Sequence, residues 1–130
     1  MHQNLVNFLK LFNNFDGEYV IRFGQARVIH GMSEKTRDCD IYVPPHIFKK
    51  YNYDRTAINM PAQGGFGKTL MINWLFQKTQ FEIYSSDDFY QIDFQIVNGL
   101  QYVTRNQLLK DYEKLNRNKD KKWFNLITRS

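Results

Sequence analysis

The sequence predicts an α+β fold, a small mixed β-sheet with flanking helices, on three observations. Runs rich in aromatic and β-branched residues mark strands at 19–23, 37–43, 81–84 and 91–97. Apolar residues recur at helical spacing near both ends: Leu5, Phe8, Leu9 and Phe12, then Leu108, Leu109, Tyr112 and Leu115. The strands do not alternate regularly with helices, which argues against a βαβ series. A length of 130 residues with 42% hydrophobic content suits one domain, 1–130, with a real core.

Taken in order, residues 3–14 read as an amphipathic helix, and Asp16-Gly17 as a turn. The strand at 19–23 runs into Gly24, and residues 25–30 make a short helix closed by Gly31. The strand at 37–43 is stopped by Pro44-Pro45, with Pro45 opening a helix through Tyr51. A strand is expected at 57–60, a loop at 63–67, and either helix or strand at 70–77. Residues 91–97 alternate cleanly, placing Ile92, Phe94 and Ile96 on one side and Gln91, Asp93 and Gln95 on the other. Asn98-Gly99 is a hairpin turn signal. Thr104 with Gln107 forms a capping box before the next helix, and Trp123, Phe124, Leu126 and Ile127 suggest a second, docked C-terminal helix.

Composition removes several classes. No apolar stretch reaches 18 residues, so no membrane span is expected. Residues 1–15 lack a basic head and a small-residue cleavage site, so the expectation is a soluble, cytoplasmic protein. One Cys gives no disulfide framework and no Cys-rich zinc site. Up to Thr104, ten Lys and Arg balance ten Asp and Glu; after it, eight face three, so the net charge of +5 belongs to the last 26 residues. That is either a solvated basic face or a surface for phosphate.

The chemistry lies with the acids. Asp38 and Asp40, two apart on a strand, face the same way, roughly 6.6–7 Å apart at Cα, while Cys39, Ile41 and Val43 face the core. Side-by-side carboxylates repel unless a cation lies between them, and Mg²⁺ takes such carboxylates together with substrate phosphates. Asp93 joins them as a third acid on the polar face of a strand, where Asp is disfavoured without a purpose. Gly24, between strand and short helix, lets backbone N–H groups approach phosphate.

The runs 22–31 (RFGQARVIHG) and 36–43 (TRDCDIYV) resemble the nucleotidyltransferase superfamily of the DNA polymerase β type, in particular its small bacterial members. Those include minimal nucleotidyltransferases, antibiotic-modifying enzymes and the toxin halves of AbiE-like toxin–antitoxin pairs. Residues 108–120 (LLKDYEKLNRNKD) are similar to a helix and Arg-x-Lys-Asp element of the same proteins. The resemblance implies that Asp38 and Asp40 bind two Mg²⁺ ions holding an NTP such as ATP. Asp93 would complete the metal site and help deprotonate the acceptor hydroxyl. The Gly24 turn would hold the β- and γ-phosphates, and Arg37 and Lys119 would neutralise phosphate charge. Gln25 departs from the family, which usually has Ser or Gly there; its side chain either crowds the phosphates or donates its amide to them. The activity implied is transfer of a nucleotide to a hydroxyl on RNA, tRNA, protein or a small molecule. The alternative is a silent domain binding RNA or a protein partner through the basic C-terminal helices. The chain is too short for the acceptor-binding domain of many relatives, so a homodimer or partner is expected to complete the site.

Residues 62–69 (AQGGFGKT) also resemble a Walker A loop with Ala for the first Gly. A P-loop needs a buried strand before it and a helix after it. Neither is evident, and a glycine loop, either flexible and near the active site or plain on the surface, is the simpler reading.

Overall fold

The computed structural model describes residues 1–32, 36, 38–51, 58–60, 69–115 and 121–129. Arg37, Lys119 and the glycine loop through Lys68 lie outside the described residues.

The core element is a seven-stranded mixed sheet. Its strands are β1 (Val20–Arg22), β2 (Asp38–Val43), β3 (Ile58–Met60), β4 (Thr69–Phe76), β5 (Thr79–Ser85), β6 (Phe94–Val97) and β7 (Leu100–Val103). They lie in the order β3-β4-β5-β2-β1-β7-β6. The pairs β2–β5 and β1–β7 are parallel, and the other four are antiparallel. Among the described residues, five α-helices flank the sheet: α1 (His2–Lys10), α2 (Gly24–Ile29), α3 (Pro45–Lys50), α4 (Arg105–Leu115) and α5 (Lys121–Arg129). Among the described residues, no helix is long and apolar enough to cross a membrane.

Alternation along the strands splits the core in two. On one face, Ile21, Cys39, Ile41, Val43, Phe81 and Ile83 meet Leu5, Phe8 and Leu9 of α1 and Ile47 and Phe48 of α3. Phe8 is fully enclosed and stacks on Phe81 with ring centroids 3.9 Å apart. On the other face, Val20, Tyr42 and Val103 meet Ala26 of α2 and Leu108 and Tyr112 of α4, with Trp123 of α5 packed alongside.

Several expectations shift. The first helix stops at Lys10, because residues 13–17 all take positive φ, from 51° to 81°. Four of these five are not glycine, so the turn is costly, and burial of Phe12 and Phe15 against each other and Tyr51 holds it. Residues 70–77, ambiguous in sequence, belong largely to strand β4, so the Walker-like loop is followed by a strand and lacks the helix a P-loop requires. The β4–β5 hairpin turns through Gln77 and Lys78, both at positive φ without glycine. Asn4 of α1 donates to the Gln77 carbonyl and to Thr79 Oγ1, both at 3.1 Å, and pins that turn.

The strand expected at 91–97 is shortened to β6. It lies at the sheet edge, where its apolar side is not covered: Phe94 is 48% and Ile96 68% exposed. Alternation gives the facing of these residues relative to one another, but both sides of β6 stay largely exposed. The hairpin turn at Asn98-Gly99 is present, with both residues at positive φ. Half of the capping box forms: the Gln107 backbone N–H donates to Thr104 Oγ1 at 3.1 Å. The Gln107 side chain is used elsewhere, accepting from the Asp93 backbone N–H and donating to Asp111.

Candidate functional site

The register of four adjacent strands sets Asn73 (β4), Glu82 (β5), Asp40 (β2) and Arg22 (β1) side by side in one row across the sheet. All four point to the α2/α4 face, because their neighbours in sequence fill the opposite core. One row along, Met71, Tyr84, Tyr42 and Val20 follow; on the other side lie Leu75, Gln80 and Asp38. The polar row is thus walled on one side by aromatic rings and opens on the other toward the exposed Asp38.

Asp40 and Glu82 are the centre of this arrangement. Parallel partners lie about 4.8 Å apart between strands, which sets the Asp40 and Glu82 side chains next to each other on one face. Burial, followed by the charge and hydrogen bond of Glu82 and the charge of Asp38, pushes the Asp40 carboxyl well above the usual carboxylate range. Arg27 of α2 opposes that rise. Glu82 accepts a 2.5 Å hydrogen bond from the Tyr84 hydroxyl at Oε2.

Arg22 completes the row from the other end. It is 1% exposed, and its Nε and one terminal nitrogen donate to the two carboxylate oxygens of Asp111 at 2.7 and 2.5 Å. Its guanidinium also lies 4.8 Å from the Tyr42 ring centroid. The pair ties β1 to α4 immediately beside Asp40.

The turn entering α2 is shaped by close approach. A Cβ on Gly24 would lie 2.9 Å from Thr36 Oγ1 and 3.2 Å from its Cγ2, so only glycine fits without displacing Thr36. Phe23, just before it, sits at φ 58° and ψ −122°, a region costly for a bulky residue. The Gln25 amide does not point outward. It is buried, and its Nε2 donates to the carbonyls of Thr36 at 3.3 Å and Asp38 at 3.2 Å, fastening α2 to the start of β2.

Asp93 is not brought to this cluster. It is exposed and precedes β6, while β1 and β7 separate β6 from β2, a distance of about 14 Å at the ordinary strand spacing. Its backbone is engaged, donating to Gln107 and accepting from Thr104. The expectation that Asp93 lies on a neighbouring strand to Asp38 and Asp40 is therefore corrected: the neighbouring acid is Glu82. Its signal was present in the sequence, since 79–85 (TQFEIYS) alternates Phe81 and Ile83 with Gln80, Glu82 and Tyr84. Attention to aspartates alone missed it. Among the described residues, no three His, Cys, Asp or Glu side chains gather closely enough to hold a metal by themselves. The cluster is a carboxylate pair with Asp38 one position out.

Other side chains near the cluster have structural partners. Cys39 is buried, and burial followed by the Asp40 and Asp38 charges raises its thiol well above the ordinary value, which removes its nucleophilic form. His30 closes α2 and hydrogen-bonds the Val103 carbonyl at 2.9 Å. Trp123 of α5 packs under the Arg27 guanidinium, 4.2 Å from the ring centroid, and Arg27 donates to the Tyr112 hydroxyl of α4.

No protein-family model matches the chain, and no curated protein matches it in sequence. In fold, the chain is similar to the crystal structure of a "putative nucleotidyltransferase" from Thermotoga maritima, with a TM-score of 0.61 and 13% identity over 96% of this chain and 95% of that one. At that identity the likeness establishes the architecture: an α+β, nucleotidyltransferase-like fold.

Proposed function

We propose that the chain is a Mg²⁺-dependent nucleotidyltransferase that moves a nucleotide from an NTP to a hydroxyl acceptor on RNA, protein or a small molecule. The observation that carries this reading is the Asp40–Glu82 carboxylate pair, side by side on parallel strands of a nucleotidyltransferase-like fold. Both side chains are half-buried, and burial with the neighbouring Glu82 charge raises the Asp40 carboxyl, so a cation beside the pair relieves the cost of two adjacent carboxylates. The donors are all oxygen, and Mg²⁺ is commonly held by one or two carboxylates completed by water and substrate phosphates. The residues therefore fit the ion without a third close ligand. Asp40 and Glu82 would hold it, with Asp38 on the open side of the row. When bound, the ion supplies positive charge to phosphate oxygens as charge develops on them.

The protein's own part is placement. Gln25 fixes the start of β2, and with it the position of Asp38. Arg22, held by Asp111, fixes the β1 side of the row. Isothermal titration with a non-hydrolysable NTP tests the reading. Wild type should bind with Mg²⁺ and not without it, Asp40→Asn and Glu82→Gln should lose that binding, and Asp93→Asn should keep it. NTP binding that ignores Mg²⁺ would sink the proposal.

One observation favours a second reading, a catalytically silent domain whose basic C-terminal helices bind RNA or a protein partner. The Gln25 amide is spent on backbone carbonyls, and Thr36 fills the space beside Gly24, so that turn is closed around this chain's own atoms. Mg²⁺-dependent NTP binding with no transfer to RNA, protein or small-molecule hydroxyls would select it.

A further inference from the structure

The ring wall beside the carboxylate row has a polar contact that site binding alone does not explain. Tyr84 and Glu82 are two apart on β5 and face the same way, and the Tyr84 hydroxyl donates to Glu82 Oε2 at 2.5 Å. The Tyr84 ring is not free to wander. It stacks on Tyr42 with centroids 4.6 Å apart and planes 18° from parallel. Tyr42 in turn lies under the Arg22 guanidinium, which Asp111 fixes with two hydrogen bonds. A continuous chain of contacts thus runs from a buried ion pair through two rings to one oxygen of Glu82. A glutamate has three rotatable bonds, and its terminal torsion is broad and nearly two-fold. Left alone, its carboxylate would sample orientations that do not face Asp40.

We infer that Tyr84 is a positioning residue, its hydroxyl holding the Glu82 carboxylate in the orientation that serves a divalent cation beside Asp40. The inference rests on the reading above that this pair binds a cation. Partners that orient a ligating carboxylate typically contribute ten- to a hundredfold in metal affinity. Tyr84→Phe keeps the ring and its stack on Tyr42 and deletes only the donor.

The test uses Mn²⁺ as the probe, titrated into the full chain as wild type, Tyr84→Phe and, as a control remote from the row, Tyr90→Phe. Tyr84→Phe should bind Mn²⁺ at least tenfold more weakly while circular dichroism shows a retained fold, and Tyr90→Phe should match wild type. Electron paramagnetic resonance of the bound Mn²⁺ reads its ligand geometry, and the spectrum should change in Tyr84→Phe alone. Equal affinity and an equal spectrum in wild type and Tyr84→Phe would overturn the inference and leave the cation reading standing. If wild type binds no Mn²⁺, the cation reading fails and takes this inference with it.

Discussion

Replacing Asp111 by Asn tests whether the buried pair beside the site holds the two halves of the α2/α4 face together. Both side chains of the Arg22–Asp111 pair are at most 2% exposed. Asn keeps the shape and can still accept one hydrogen bond from Arg22, but its NH₂ faces the second donor where a carboxylate oxygen had accepted. It also removes the charge opposite a buried guanidinium. At an effective dielectric near 20, two unit charges at 4 Å interact by about 4 kcal/mol. Measured losses on breaking such pairs run about 3–5 kcal/mol. Because Asn retains one acceptor, the lower end applies, about 3 kcal/mol, a large share of the roughly 5–15 kcal/mol typical of a domain. Urea unfolding followed by circular dichroism reads this as a shift in midpoint at unchanged slope. The double variant Arg22→Met/Asp111→Leu should recover most of the loss, because neither charge is then left buried alone. A loss below about 1 kcal/mol for Asp111→Asn would refute the claim that the pair is sealed from water.

Phe8→Ala should cost about 3–5 kcal/mol by the same assay, because Phe8 is fully enclosed and touches Phe12, Trp74, Phe76 and Phe81; a smaller loss would mean that α1 is not docked as described. Gly24→Ala should cost about 1–3 kcal/mol by overpacking against Thr36, and Thr36→Ala in the same chain should recover part of it; no recovery would place the clash elsewhere. In metal-free protein, the raised Asp40 carboxyl binds its proton more tightly folded than unfolded, where it titrates near 3.8. Stability therefore falls as pH rises above the unfolded value, and the loss is complete above the folded one. Melting temperatures from pH 4 to 8 should fall more for wild type than for Asp40→Asn; parallel curves would show that Asp40 is not the group responsible.

The elements with strong local signals were legible. Strands β1, β2 and β5, the helix after Pro44, the Asn98-Gly99 turn and both C-terminal helices stand near where periodicity and punctuation put them. What failed depended on neighbours distant in sequence. The turn at residues 13–17 is held left-handed by packing of Phe12 and Phe15 that no local rule reports. Gln77-Lys78 turns a hairpin without glycine because Asn4, more than 70 residues away, binds it. Gln25 suggests a role toward phosphate, by its bulk or by its amide, whereas its buried amide serves two carbonyls that sequence could not place.

The misplaced third acid has a more general cause. A carboxylate on an edge strand faces water on at least one side and costs little, so Asp93 before β6 needs no cation to justify it. A carboxylate on an interior strand, with strands on both sides and a packed opposite face, is costly unless something compensates it. Glu82 lies on β5 between β4 and β2, and Asp40 on β2 between β5 and β1. Sequence alternation shows that an acid points away from the core, but it does not tell an interior strand from an edge. That distinction comes from strand order, and here the parallel β2–β5 pairing supplies it by joining residues 42 positions apart. The chemical weight of an acid in such a sheet thus follows from its strand's place in the order before it follows from its residue type. By that measure the proposed site rests on Asp40 and Glu82, while the Asp93 backbone links the start of β6 to Thr104 and Gln107 at the N-terminus of α4.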